Sequence, residues 1–260
     1  SSLEEGYLTY GEYYLEGESS DEVLISCHVC HPSLCNDNLS GIALSTFLAK
    51  QLQHYSNRYC YRFLFVPGTI GAITWLALNE DKVKNIKHGL VVALVGDSGK
   101  LTYKKSRQAN AEIDRVVMHV LKHSGDPYEL LEFSPYGYDE RQYCSPGFNL
   151  PVGSLTRTPH GRYPEYHTSA DNLDLVRSEV LVDSFSKYLS VFWVIGKNRI
   201  YLNQNLKCEP QLGRRGLYRE MGGYADGREI ELALLWVLNL SDGSYSLLDI
   251  AERAGLRFEV

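Results

Sequence analysis

The stretch Val23–Gly41, VLISCHVCHPSLCNDNLSG, constrains the fold more than any other part of this chain. Val23, Leu24 and Ile25 make an apolar run too short for a helix, which reads as a buried strand. Cys27, His28, Cys30 and His31 follow, so the strand delivers polar groups at its carboxyl end. Asn36, Asp37, Asn38 and Ser40 precede a helical pattern from Ile42 to Leu52, which predicts a capped helix with Asp37 held near its first turn. Two histidines and a carboxylate thus converge on one strand-to-helix loop.

Three chemistries compete for this loop. CHVCH matches the C-x-x-C-H pattern of haem attachment, and Cys27, Cys30 and Cys35 with His28 and His31 match a zinc knuckle. A haem site needs an oxidising assembly route, and a knuckle needs a second ligand pair that no later C-x-x-C supplies. The plainest reading makes the cysteines small buried hydrophobes and gives the histidines local hydrogen bonds. A catalytic metal site is favoured over these. A histidine at a strand end, a carboxylate before a helix and a distant histidine are how an open zinc site collects ligands from separate loops. Residues three apart on a strand face opposite sides, so His28 and His31 can both serve only if the strand has broken by Cys30. Pro32 marks that break, and His31 is preferred.

The 260 residues are 44% hydrophobic and carry a net charge of −6, which suits one or two globular domains and disfavours nucleic acid. No apolar run of roughly 18 residues is present and the first residues lack signal-peptide features, so a cytoplasmic protein without membrane contact is expected. Six cysteines, three of them crowded between Cys27 and Cys35, read as reduced thiols rather than a disulfide framework. The first residue is not Met and the last residues stop where another element should begin, as in a fragment.

Residues 7–16 read as a hairpin feeding the strand at Val23. A helix over 41–54 turns Ile42, Leu44, Phe47, Leu48 and Leu52 inward; Tyr61–Val66 is a strand; a helix over 70–85 buries Trp75, Leu76 and Leu78; Leu90–Val95 is a third strand, closed by Gly96-Asp97-Ser98-Gly99. An amphipathic helix runs from Asn110 to Lys122, and a polar, aromatic loop from Phe133 to Tyr143 precedes the last sheet strand, Leu150–Thr156. In the loop after it, His160 is read as a loop residue rather than a ligand. Asp174–Asn198 is one long helix with Val180, Leu181, Phe185, Leu189, Phe192 and Trp193 inward. Alternating strands and helices with turn chemistry at the strand ends predict an α/β, doubly wound, mainly parallel sheet over residues 1–205.

Two segments carry a family resemblance. Asn36–Gly41, NDNLSG, resembles the G-A-x-D-N-x-S-G segment of zinc aminopeptidases of the aminopeptidase S and glutaminyl cyclase type, and Tyr166–Asn172, YHTSADN, resembles their late H-T-x-x-D segment. The resemblance implies an aminopeptidase-like fold and zinc, with Asp37 and His167 as ligands beside the preferred His31; it also puts a metal-binding Asp at Asp97, which a plain turn role explains equally well, and the departures below make one ion rather than two the expectation. The chain departs from that family in two places. The first family ligand is usually followed two residues on by Asp, where His28 is followed by Cys30, and the Glu-Glu pair after the second strand is absent from FVPGTIGA. The segment CSPGFNLPVGSL is similar to a family segment that places Asp139 beside the active site. Glu140 is then the expected general acid/base, and Arg141 the fork for a substrate carboxylate.

Residues 206–260 differ in texture. Gly213-Arg-Arg-Gly216 and Gly222–Gly227 make a Gly-rich connector, and Ile230–Leu240 and Leu247–Ala254 are two short helices joined by SDGSYS. They resemble the opening helices of a winged-helix module, the tail of one branch of the aminopeptidase clan, with its recognition helix missing. No basic stripe is visible, which favours packing or homo-oligomerisation over DNA binding. The functional expectation is a zinc hydrolase acting on a small peptide or acyl-amino substrate. A non-catalytic binding protein that keeps the fold is the alternative, and the missing Glu-Glu pair is its support.

Overall fold

The computed structural model describes residues 6–217 and 225–260, and the chain forms two compact units, residues 1–191 and 192–260. The first is built on a seven-stranded sheet: β1 (Gly11–Leu15), β2 (Glu22–His28), β3 (Cys60–Val66), β4 (Ile86–Val92), β5 (Leu101–Lys104), β6 (Tyr128–Leu131) and β7 (Val152–Thr156). Their order is β1-β3-β2-β4-β7-β5-β6. β2 pairs in parallel with β3 and β4, β4 with β7, and β5 with β6, whereas β1–β3 and β5–β7 are antiparallel. The sheet is therefore mixed: the pairings are mainly parallel, as the sequence suggested, with β1 antiparallel at one edge and the β5–β6 pair antiparallel to β7 at the other.

The apolar run sits where its composition sends it. Every residue of β2 is buried, as expected of a strand flanked on both edges and covered on both faces. Leu24, Leu64, Val66, Ala72, Trp75, Leu76 and Val152 form one core cluster. Residues 7–16 do not fold into a hairpin; β1 is a single edge strand in register with β3, from Gly11 opposite Phe65 to Leu15 opposite Tyr61. β5 and β6, LTYK and YELL, carry too little apolar pattern to announce themselves, and partners distant in the sequence define them.

The first unit's helices are α1 (Ser40–Leu52), α2 (Ile70–Leu78), α3 (Glu80–Val83), α4 (Glu112–His123), α5 (Glu140–Tyr143) and α6 (Ser178–Lys197), the last running on into the second unit. The single helix expected over 70–85 breaks at Asn79, whose side-chain amide donates to Trp75 O at 2.9 Å. Three expected core residues point outward: Phe47, Leu78 and Trp193 are 61%, 68% and 44% exposed.

In the second unit β8 (Ile200–Leu202) and β9 (Asp242–Ser246) form an antiparallel pair, with α7 (Ala225–Leu240) between them in the chain and α8 (Leu247–Ala254) directly after β9. The SDGSYS connector is thus mostly strand. Ser246 caps α8: its hydroxyl accepts from Asp249 N at 3.2 Å while the Asp249 carboxylate accepts from Ser246 N at 2.7 Å. Trp193 lies edge-on to Phe258, ring centres 5.6 Å apart. Gly213–Arg215 is a short 3₁₀ turn, and residues 222–224 of the expected connector lie outside the described residues. Among the described residues no helix is long and apolar enough to cross a membrane.

Candidate metal centre

β2 ends at His28, earlier than Pro32 suggested, and the chain reaches α1 through an irregular turn, Cys35–Leu39. Asp37 (φ −113°, ψ 75°) and Asn38 (φ −148°, ψ 35°) leave helical geometry there. Asp37 thus stands in the turn before the helix instead of in its first turn, and no side chain caps α1. The polar residues of NDN bind to neighbouring strand ends. Asn38 Nδ2 donates to Val92 O at 3.1 Å and His28 O at 3.3 Å, while its Oδ1 accepts from Leu94 N at 3.2 Å. Asn36 Oδ1 accepts from Gly96 N at 2.9 Å. Gly41 lets α1 start against β4, since a Cβ there would come within 2.7 Å of Val92 O.

These bonds hold Asp37, fully buried, at the middle of three histidines. His28 Nε2 lies 2.7 Å from Asp37 Oδ1, His167 Nε2 lies 2.9 Å from Oδ2, and His31 Nδ1 lies 3.5 Å from Oδ2. The carboxylate is oriented from behind by Asp171, also buried, which accepts from Asn36 N at 2.5 Å and Asp37 N at 3.0 Å. Burial by itself would raise the Asp37 pKa, yet the His28 hydrogen bond and the nearby imidazoles hold it below the ordinary carboxylate value. Burial lowers the His31 pKa, with His167 and His28 adding to the effect against the opposing pull of the Asp37 carboxylate. A neutral imidazole with a free lone pair is the form that binds a metal.

His31, Asp37 and His167 bring one ligand atom each within 4.8 Å of one another. Two imidazoles and a carboxylate suit an open zinc site, with the fourth position left for water or substrate. His31 Nδ1 is buried with no hydrogen-bond partner, its nearest charged group being Asp37 Oδ2 at 3.5 Å, so no hydrogen bond competes with a metal for it. The residues present therefore fit a zinc ion.

The other expected residues are placed differently. Asp97 stands outside this group, and both its oxygens are taken: Oδ1 accepts from Gly99 N at 2.8 Å and Thr158 Oγ1 at 2.5 Å, and Oδ2 from Asn36 Nδ2 at 3.1 Å. It ties loops together. Glu140 forms an ion pair with Lys104, Oε1 to Nζ 2.8 Å. Asp139 is fully buried; Oδ1 accepts from Thr69 N at 2.6 Å while Oδ2 has no partner. Burial raises its pKa to about 6, against the opposing pull of the Thr69 amide and of His28. Arg141 Nε is buried and unpaired.

An aromatic wall borders the centre. Tyr138 stacks on His28 at 4.6 Å with its hydroxyl 3.4 Å from Asp37 Oδ1, and Tyr166 stacks on His167 at 3.9 Å. His160 packs among Tyr136, Tyr138 and Tyr166 and joins no ligand group among the described residues. The orienting roles of Asp171 and Tyr138 have a weak trace in sequence: the first lies in YHTSADN, the second beside Asp139 in an aromatic loop.

Residues 1–198 match the family model described as a domain of unknown function, DUF4910, and residues 199–260 match a winged helix-turn-helix model. A Clostridium acetobutylicum protein, named as a candidate polysaccharide biosynthesis protein with an aminopeptidase-like domain, is 57% identical over 99% of the chain, which spans 59% of that relative. The crystal structure of a candidate peptidase from Clostridium acetobutylicum superposes with a TM-score of 0.91 at 54% identity, over 99% of this chain and 58% of that one. The zinc aminopeptidase from Bacillus subtilis superposes over 72% of this chain and 49% of its own with a TM-score of 0.59 at 16% identity, and an Acidobacteriales bacterium glutaminyl cyclase over 72% and 73% with 0.60 at 16%. The fold is aminopeptidase-like, and the chain covers about three-fifths of the two Clostridium relatives, 59% and 58%.

Proposed function

The chain belongs to the DUF4910 family, and on the geometry of its centre we propose a zinc-dependent hydrolase that cleaves an amide bond in a small peptide or acyl-amino substrate. The observation that carries the reading is the buried Asp37 carboxylate with His31 and His167 gathered on one of its oxygens. A zinc ion on these three residues supplies a Lewis acid for an amide carbonyl and lowers the pKa of a water from about 15.7 to about 7.

The protein's own groups do the rest. Asp171 fixes the carboxylate through two backbone amides, and His28 donates to its other oxygen. Such partners set ligand orientation and basicity. Asp139, not Glu140, is the proton carrier in this reading. Glu140 is committed to Lys104, whereas Asp139 has a free, buried oxygen and a pKa of about 6, close to the working range of a group that takes up and returns a proton. The tyrosine wall gives flat, apolar faces to a substrate.

The non-catalytic reading has one observation in its favour: no acid follows β3 in the sequence PGTIGA. One set of experiments separates the two. Purified full chain is expected to hold zinc, Asp37→Ala and His167→Ala to lose stoichiometric zinc with unchanged circular dichroism, and amine release from aminoacyl, acyl-amino and N-acyl amino-sugar substrates to stop on chelation. Retention of a full equivalent of zinc by both variants sinks the metal assignment. Zinc binding with no turnover on any substrate favours the binding protein.

A further inference from the structure

The loop after β2 holds more ligand atoms than that centre uses. His28, Cys30 and His31 also bring one ligand atom each within 4.8 Å of one another, and His31 belongs to both groups. Cys30 is exposed at the rim, unlike Cys27, which is fully buried and accepts from Asn38 Nδ2 at 3.3 Å. Two of the three groups carry orphaned donors: His28 Nδ1 and His31 Nδ1 are both buried without a hydrogen-bond partner. With its Nε2–H given to Asp37 at 2.7 Å, His28 keeps its lone pair on Nδ1. A carboxylate on one imidazole nitrogen and a metal on the other is the arrangement that raises ligand basicity.

The thiol also has space made for it. Gly68, just past β3, faces Cys30, and a Cβ at that position would lie 2.9 Å from Sγ. Real side chains do not approach so closely, so any residue other than glycine would push the thiol aside.

We infer that this loop offers a second metal position, made by the Cys30 thiolate with the imidazoles of His28 and His31, which takes thiophilic ions and competes with the Asp37 position for His31. Thiolate is a soft ligand and carboxylate a hard one, so the two positions sort ions by softness. A cadmium ion goes to Cys30, and an ion satisfied by oxygen and nitrogen goes to Asp37 and His167. Binding at Cys30 releases the thiol proton, and the ion's charge is met by the thiolate. This inference rests on the proposed function only for the competition over His31; the Cys30 position stands on its own residues.

The test titrates cadmium into metal-free full chain and follows the ultraviolet thiolate-to-cadmium absorption, with zinc content measured in parallel. Wild type is expected to develop the band at one equivalent. Cys30→Ser, at an exposed position, loses it and binds cadmium about ten- to a hundredfold more weakly, the scale on which loss of even an outer partner of a metal ligand acts, while still holding zinc. Gly68→Ala weakens cadmium in the same direction and leaves zinc unchanged. His167→Ala keeps the band. The inference is overturned if the band survives in Cys30→Ser, or if wild type binds cadmium with no thiolate band. If instead Cys30→Ser alone loses zinc while Asp37→Ala and His167→Ala keep it, the Cys30 position stands and the proposed function falls.

Discussion

Asp139 and Glu140 are adjacent acids in one loop, and their surroundings separate them. Glu140 meets an ammonium, Lys104 Nζ at 2.8 Å; Asp139 meets one backbone amide and otherwise protein interior. A carboxyl whose pKa rises from 3.8 to about 6 on folding is stabilising only while protonated. Its contribution is complete below pH 3.8 and is lost as pH rises through about 6. Asp139→Asn fixes the neutral form and preserves the acceptor for Thr69. It is expected to match wild type near pH 4 and to exceed it by up to about 3 kcal/mol above pH 7, because each tenfold change in proton affinity is worth about 1.36 kcal/mol. Urea melts across that range measure this, and parallel curves would show that Asp139 is not held neutral. The same variant is expected to lose about 10²–10⁴-fold in turnover, while Glu140→Gln, away from the proton path, loses less than tenfold.

At the level of elements, the β2-to-α1 turn is held in place by side-chain amides. Asn38 bonds Val92 O, His28 O and Leu94 N, three buried backbone groups at the ends of β2 and β4. Asn38→Ala strands them, at an expected cost of about 2–4 kcal/mol, and releases the segment that carries Asp37. Zinc affinity should fall with stability; denaturation midpoints and zinc titration on the same preparation check this. Unchanged zinc affinity in a clearly destabilised variant would mean that Asp37 is positioned by Asp171 alone. The turn also explains how two histidines three apart reach one carboxylate. The strand stops at His28, so the strand rule that sends their side chains to opposite faces no longer applies.

Over the full chain, the candidate ligands lie in residues 28–167, inside the first compact unit, and the first family match closes at residue 198, one residue past α6. Expressed alone, residues 1–198 are expected to bind zinc with the stoichiometry of the full chain. Loss of binding in a folded truncation would assign residues 199–260 a part in the centre. Retained binding would leave the segment matching the winged helix-turn-helix model, which has its own helix cap and its own strand pair, without a part in the centre.

Buried β2, the α1 that follows it and α8 were legible from residue order alone, because apolar runs and helical spacing act over a few positions. Two short segments, NDNLSG and YHTSADN, also pointed to Asp37 and His167 as partners across about 130 residues, and their side chains meet at 2.9 Å. Packing between distant segments settles the rest. Which neighbouring acid takes a lysine and which is buried without one depends on Lys104, on a strand too short and too polar to be read locally. The same holds for Asp97, a turn residue in sequence whose oxygens are claimed by Asn36 and Thr158 from two other loops. Cys30 and Gly68 likewise come together only when β2 and β3 pair side by side, and no local pattern encodes a contact between a thiol and an absent side chain.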